Sequence, residues 1–354
     1  MTQSTGTVPS QMAPPEVVTF DEDLAGPERW MLGAVTEGDQ YQGPYWIYIL
    51  DRQGRVVWYY QDAEKQRMMA FPRTSRDGRF IATERKTFNN TDSGVHMMTL
   101  DHEYSEIAEL SGMCDAFDFT DSGSIIYNTL EREGGQLVRS RLNEWTADGD
   151  TREIWDCGPW AEQYHGNGPL DRKWCYSNTV DWYPEQNWIT LSLPYQNTVL
   201  VIDRESGEIV HEWGDLADWT FEPSEVSFDF NHWANFAEDG KFWVSSHVNS
   251  GHAFVEFEID EDEQTLRELW RFGDDVDFRP KSKGMVELMP GGTVLANYGD
   301  DAVLMEITRE GDVAWELHWR RSGDKRVLGH NILVPSLYDL NRGPESKTLT
   351  RRPR

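Results

Sequence analysis

The chain has 354 residues, of which 62 are Asp or Glu against 33 Lys or Arg, for a formal net charge of −29. Such an acidic field disfavours nucleic acid and anionic membrane surfaces, and no apolar run is long enough to span a bilayer. Aromatic residues make up 12 %, with 16 Trp, which suits repeated packing of one sheet on the next.

Residues 1–20 (MTQSTGTVPSQMAPPEVVTF) show neither a basic nor an apolar leader segment and are expected to form a mobile arm. The location expected on that reading is cytoplasmic. Reduced thiols are then expected at Cys114, Cys157 and Cys175, with Cys157 and Cys175 pairing only in an exported protein.

Arg29–Val35 and Tyr45–Leu50 read as strands. They are followed by Asp51-Arg-Gln-Gly-Arg-Val-Val-Trp58, a turn leading into a strand that ends on Trp. The same device recurs, weakly at Asp101–Leu110 and clearly at Ala147–Trp155, Asp203–Trp213, Asp260–Trp270 and Arg309–Trp315. Adjacent copies lie about 45 to 58 residues apart, the spacing of propeller blades. A second turn series interleaves with the first: Arg76-Asp-Gly78, Asp121-Ser-Gly123, Pro184–Asn187, Glu238-Asp-Gly240 and Pro290-Gly-Gly292. The clearest unit, Ser177–Asp215, divides into four short segments of alternating polarity. The expected fold is therefore all-β: a six-bladed propeller of four-stranded antiparallel blades over residues 21–340. The first blade is one strand short and is expected to be completed by Asn331–Tyr338, with 341–354 as a fraying polar tail. Thr87–Gly94 and Gly158–Trp174 interrupt the rhythm as long loops of the kind that form rims or lids.

The first strand of each blade lines the axis, and aligning the turns brings candidate site residues there. First strands contribute Asp115, Asn178, His232 and Lys283, and second strands contribute Glu84 and His247. His232, His247 and His252 fall within one short stretch and are read as acid, base, nucleophile or, together, ligands of a divalent metal. His330, before the closing strand, and His165, in the long loop, are candidate substrate-binding residues. His96, His102, His211 and His318 are read as structural, and the blade-end Trp residues as packing.

Four stretches resemble the bacterial arylsulfate sulfotransferase family: Asn178-Thr-Val-Asp-Trp182, Ser192–Gly214, Asn231–His247 and Met289–Leu317. The resemblance covers roughly residues 40–338. It implies a six-bladed propeller that passes a sulfuryl group between phenols through a histidine, without a nucleotide or other required cofactor. His232 matches the histidine opening the fifth blade, and Asn178 matches a site asparagine. Tyr176 stands where the family has a histidine, and Ser192-Leu-Pro194 followed by Tyr195 stands where it has Ser-x-Arg. The segment Lys281–Met285 offers no counterpart of the carrier histidine. Blade motifs specify architecture better than chemistry.

Three functions follow as expectations. Sulfuryl transfer on a small phenolic substrate is implied by the resemblance, with weak or absent turnover expected from the altered positions. A repurposed enzyme would use a His/Tyr pair (His232, His247 or His252 with Tyr176 or Tyr195) for lyase, hydratase or isomerase chemistry. A non-catalytic binding propeller is the third. For the enzyme readings the expected partner is a small molecule, and for the binding propeller a protein or carbohydrate; the sequence sets no oligomeric state.

Overall fold

The computed structural model describes residues 12, 14–37, 45–62, 68–86, 93–133, 136–165, 174–248, 251–319 and 326–344. It is a six-bladed β-propeller whose blades are four-stranded antiparallel sheets. The innermost strands, in ring order, are Arg326–Val334, Arg73–Thr74, Met113–Phe119, Thr179–Tyr183, Trp233–Phe236 and Gly284–Leu288. The two turn series fall where the sequence placed them. Each needs a backbone that bends into the left-handed region, as at Gly123 (φ +80°) and Gly311 (φ +93°).

The first blade is completed from the other end of the chain, as expected, but by an earlier segment. Arg326–Val334 pairs antiparallel with Trp30–Glu37, Gly33 facing Asn331. Pro335 ends the strand because it has no amide hydrogen for the ladder. A second correction concerns the expected N-terminal arm. Glu16–Phe20 is a strand pairing antiparallel with Val313–His318, a fifth strand on blade six. Val17 and Phe20 pack against the cluster around Trp315 and Trp319, and that apolar contact offsets the entropy of ordering the segment. The start of the tail is also tied down. Arg79 Nε donates to the Gly343 carbonyl at 2.6 Å, and the Gly343 amide to the Arg79 carbonyl at 3.1 Å; residues 345–354 lie outside the described residues.

Core clusters form between neighbouring blades, so each blade buries its faces against the next one around the ring. Ile126, Leu142 and Trp155 of blade three meet Val180, Leu191 and Leu200 of blade four. A polar latch reinforces the packing. The third strands of blades three, five and six bury Glu144, Glu256 and Glu306, which accept ion pairs from Arg204, Arg309 and Arg52 of the following blade. Each guanidinium also lies over an indole: Arg204 over Trp182 (5.6 Å), Arg309 over Trp270 (5.4 Å) and Arg52 over Trp315 (5.1 Å). Trp270 and Trp315 donate their indole N–H to the Arg309 and Arg52 carbonyls at 3.0 and 2.8 Å. These blade-end Trp residues therefore do more than pack. The Arg52 latch joins the last blade to the first with the same chemistry used elsewhere, so closure of the ring is encoded in the repeat.

Candidate active site at the channel mouth

Inner strands of a propeller run in one direction, so side chains at or near their beginnings gather at one end of the axis. The pocket there is lined by Met68, Phe71, Asp115, Tyr176, Asn178, His232, Trp233, Ser282, Lys283, Gly284, Met285, Gly329 and His330. It holds about 580 Å³ of empty space, part of it open to solvent.

One wall is a charged relay. Asp115 accepts hydrogen bonds from the Lys86 ammonium on one carboxylate oxygen and from the Tyr176 hydroxyl on the other. Burial raises the Asp115 pKa, but Lys86, Tyr176 and Lys283 outweigh it and hold the carboxyl below its usual range. Burial likewise opposes the Lys86 charge, and the Asp115 carboxylate more than restores it. Lys283 adopts a left-handed backbone (φ +69°). Its ammonium lies 5.3 Å from the Tyr45 ring centre and 5.9 Å from that of Phe71, and 3.3 Å from the Tyr45 hydroxyl.

The facing wall carries imidazole. His232 Nδ1 lies 3.2 Å from the Phe230 carbonyl oxygen; a carbonyl only accepts, so the proton sits on Nδ1 and the lone pair on Nε2. Burial, helped by His247, lowers its pKa to about 3, so the ring is neutral at physiological pH. Asn178 Nδ2 donates to the Asn231 carbonyl at 3.1 Å, which ties blade four to blade five beside the pocket. Apolar side chains of Met68, Phe71, Trp233 and Met285 complete the lining.

Other candidates are placed elsewhere. Glu84 is buried behind the wall, where its carboxylate accepts the Ala70 amide and, at 2.7 Å, the Phe71 amide. It shapes the segment bearing Met68 and Phe71 instead of lining the pocket. Burial raises its pKa to about 7. His252 is fully buried, with Nε2 2.6 Å from the Ser245 hydroxyl. It packs against Gly284, where any Cβ would collide with the His252 ring and Ser245. His247 lines an outer groove with Asp215, Asp229 and Asp274. The rings of His232 and His247 stack at 5.6 Å, and His247 meets His252 edge-on at 5.1 Å. Among the described residues, no three His, Cys, Asp or Glu side chains converge as a metal site, the alternative grouping of His232, His247 and His252 included. Tyr195 is on the rim, 44 % exposed and 5.8 Å from the Tyr176 ring. The side chain of His165, which ends the helix Cys157–His165, lies outside the described residues.

Lys86 was missed by sequence reasoning, yet a signal existed. It lies two residues after Glu84 on one strand, Ile81–Lys86, and so on the same face. Cys157 and Cys175 form a disulfide with Cα atoms 6.1 Å apart, where reduced thiols were expected. It anchors the start of the helix to the residue before Tyr176.

No family model matches the chain, and no curated protein matches it. Solved structures of similar shape include TolB from Acinetobacter baumannii, with 12 % identity, a TM-score of 0.58, and 89 % of this chain and 69 % of that one covered. A protein of unknown function from Bacteroides caccae gives 14 % identity and a TM-score of 0.58, covering 87 % and 100 %. A virginiamycin B lyase from Staphylococcus aureus gives 12 % and 0.47, covering 89 % and 99 %. At these identities the likeness concerns the fold alone. No helix among the described residues is long and apolar enough to cross a membrane.

Proposed function

We propose that the channel mouth is the active site of an enzyme acting on a small aromatic substrate, with His232 as the reacting group. The observation that carries this reading is one pocket combining a neutral imidazole, an Asp-anchored phenol, a lysine ammonium and an apolar lining. Such a lining accepts a ring, and Lys283 favours an oxyanion on it.

Sulfuryl transfer, the reaction named by the sequence resemblance, has a balanced route through these groups. The His232 Nε2 lone pair attacks the sulfur of an aryl sulfate and the S–O bond to the ring breaks. The phenolate leaves and takes a proton from Tyr176, whose oxygen is hydrogen-bonded to the Asp115 carboxylate, itself ion-paired with Lys86. Attack by an acceptor phenol then reverses these steps and frees the imidazole. A second reading, proton transfer between His232 and Tyr176, draws on the same Asp115 contact.

The test is intact mass after incubation with an aryl sulfate, beside turnover of wild type and His232→Ala. Gain of one sulfuryl group at His232, with a loss of about two to four orders of magnitude in the variant, is expected. Because the imidazole is already neutral above about pH 4, the rate should show no acidic limb between pH 5 and 8. Full activity of a folded His232→Ala protein would sink both readings; turnover without an adduct would favour proton transfer.

A further inference from the structure

We propose that His330 is a second ligand-binding imidazole in the pocket, and that the molecule accepted there is an aromatic ring bearing two hydrogen-bond-donating hydroxyls. This rests on the reading that places an aromatic ligand at the channel mouth.

His330 lies on the closing strand and is only 4 % exposed. Its Nδ1 is 3.2 Å from the Pro72 carbonyl oxygen, which can only accept, so Nδ1 carries the proton. Burial, and then the nearby Arg73 charge, keep the ring neutral by holding its pKa well below the usual value. The lone pair is therefore on Nε2. That atom is buried and, among the described residues, has no hydrogen-bond partner, although buried polar atoms are nearly always paired. The ring helps line the pocket, 4.3 Å from Trp233 and 6.4 Å from Phe71, centre to centre.

The pocket wall thus holds an acceptor nitrogen for which the described residues provide no donor, and a bound ligand can supply one. His232 has the same tautomer, set by the Phe230 carbonyl, and presents a second Nε2. A ring with one hydroxyl answers one of them. A ring with two answers both while its faces lie against the apolar lining. Methylating one hydroxyl keeps the shape and removes a donor, leaving one imidazole buried and unmatched.

Calorimetric titration of the full chain with catechol, resorcinol and hydroquinone, each beside its monomethyl ether, tests this. At least one diol should bind about 10- to 100-fold more tightly than its ether. His330→Leu should reduce that ratio to about one, and His330→Gln, which keeps an acceptor oxygen, should restore part of it. Circular dichroism checks folding, and should the Leu variant fail to fold, wild type against His330→Gln still decides. Equal binding of diol and ether, no binding of any diol, or a preference that persists in His330→Leu would overturn the proposal. Turnover is measured separately. A diol preference without activity upholds this inference and sinks the enzyme reading; activity without the preference does the reverse.

Discussion

Replacing Asp115 by Asn tests the charged wall most directly, because Asn keeps the shape and an acceptor oxygen while removing the charge. The Lys86 side chain is 5 % exposed and that of Asp115 14 %, so the variant leaves an ammonium buried without its counter-ion. Breaking such a pair costs about 3–5 kcal/mol, whereas replacing both partners with apolar groups of similar size is close to neutral. In the wild type, the depressed Asp115 pKa gives a contribution present above about pH 4 and lost on acidification. The raised Lys86 pKa gives one complete below about pH 10 and lost above it. The pair's effect is therefore flat from about pH 5 to pH 10. In Asp115→Asn, burial acts on Lys86 against only Cys114 and Glu84, and its folded pKa is expected to fall below the unfolded value. The penalty is then greatest at neutral pH and shrinks as the solution approaches pH 10. Urea unfolding followed by tryptophan emission, at pH 7 and pH 10, reads both effects. A cost below about 1 kcal/mol at pH 7, an equal deficit at both pH values, or a Lys86→Met/Asp115→Leu double variant as unstable as the single one would refute the reasoning.

Two further outcomes follow from buried groups away from the pocket. Burial raises Glu287 to about 7, with Arg73 opposing and Asp181 adding to the shift, and its Oε2 is buried without a partner among the described residues. A raised carboxyl binds a proton in the folded state that the unfolded chain has already lost, so stability falls as pH rises from about 4.5 to 7. Glu287→Gln should remove that fall, gaining about 1–3 kcal/mol at pH 8 and nothing at pH 4 in urea unfolding; a gain independent of pH would count against it. For the thiols, protein purified without reductant and then denatured should titrate as one free thiol, Cys114, of the three cysteines. Reducing the disulfide, which spans 18 residues, should cost about 3 kcal/mol. Three free thiols would favour the cytoplasmic expectation, and one would favour an oxidising compartment.

The blades were legible in the sequence because each repeats a local device: a turn with glycine, a strand with period two, and a Trp at its end. Even the latch is written locally, since Arg52, Arg204 and Arg309 all lie in those turns. What could not be read was pairing decided at the edges. Glu16–Phe20 is a five-residue segment whose strand character depends on Val313–His318 offering an open edge nearly 300 residues later. The end of the closing strand was shifted for a similar reason: Asn331–Val334 fits any position in a strand, and only pairing with Trp30–Glu37 fixes its extent.

The site divides along the same line. Asp115, Asn178, His232 and Lys283 follow from one rule, that inner strands begin around the axis, and all four line the pocket. Nearness in sequence misled in the case of the other histidines. His247 and His252 face each other across one hairpin, so they must be close together, but a hairpin of second and third strands leads away from the axis. Glu84 and Lys86 show the limit from the opposite side. Both point to one face of one strand, and periodicity treats them alike. Which of them reaches Asp115 was decided by the segment Met68–Phe71, whose free amides bind Glu84 and hold it in the wall. Lys86, one step nearer the mouth, is left to pair with Asp115 and so to hold the carboxylate that anchors Tyr176. A backbone need thus separates a structural carboxylate from a site lysine on the same strand face, and only the folded chain expresses it.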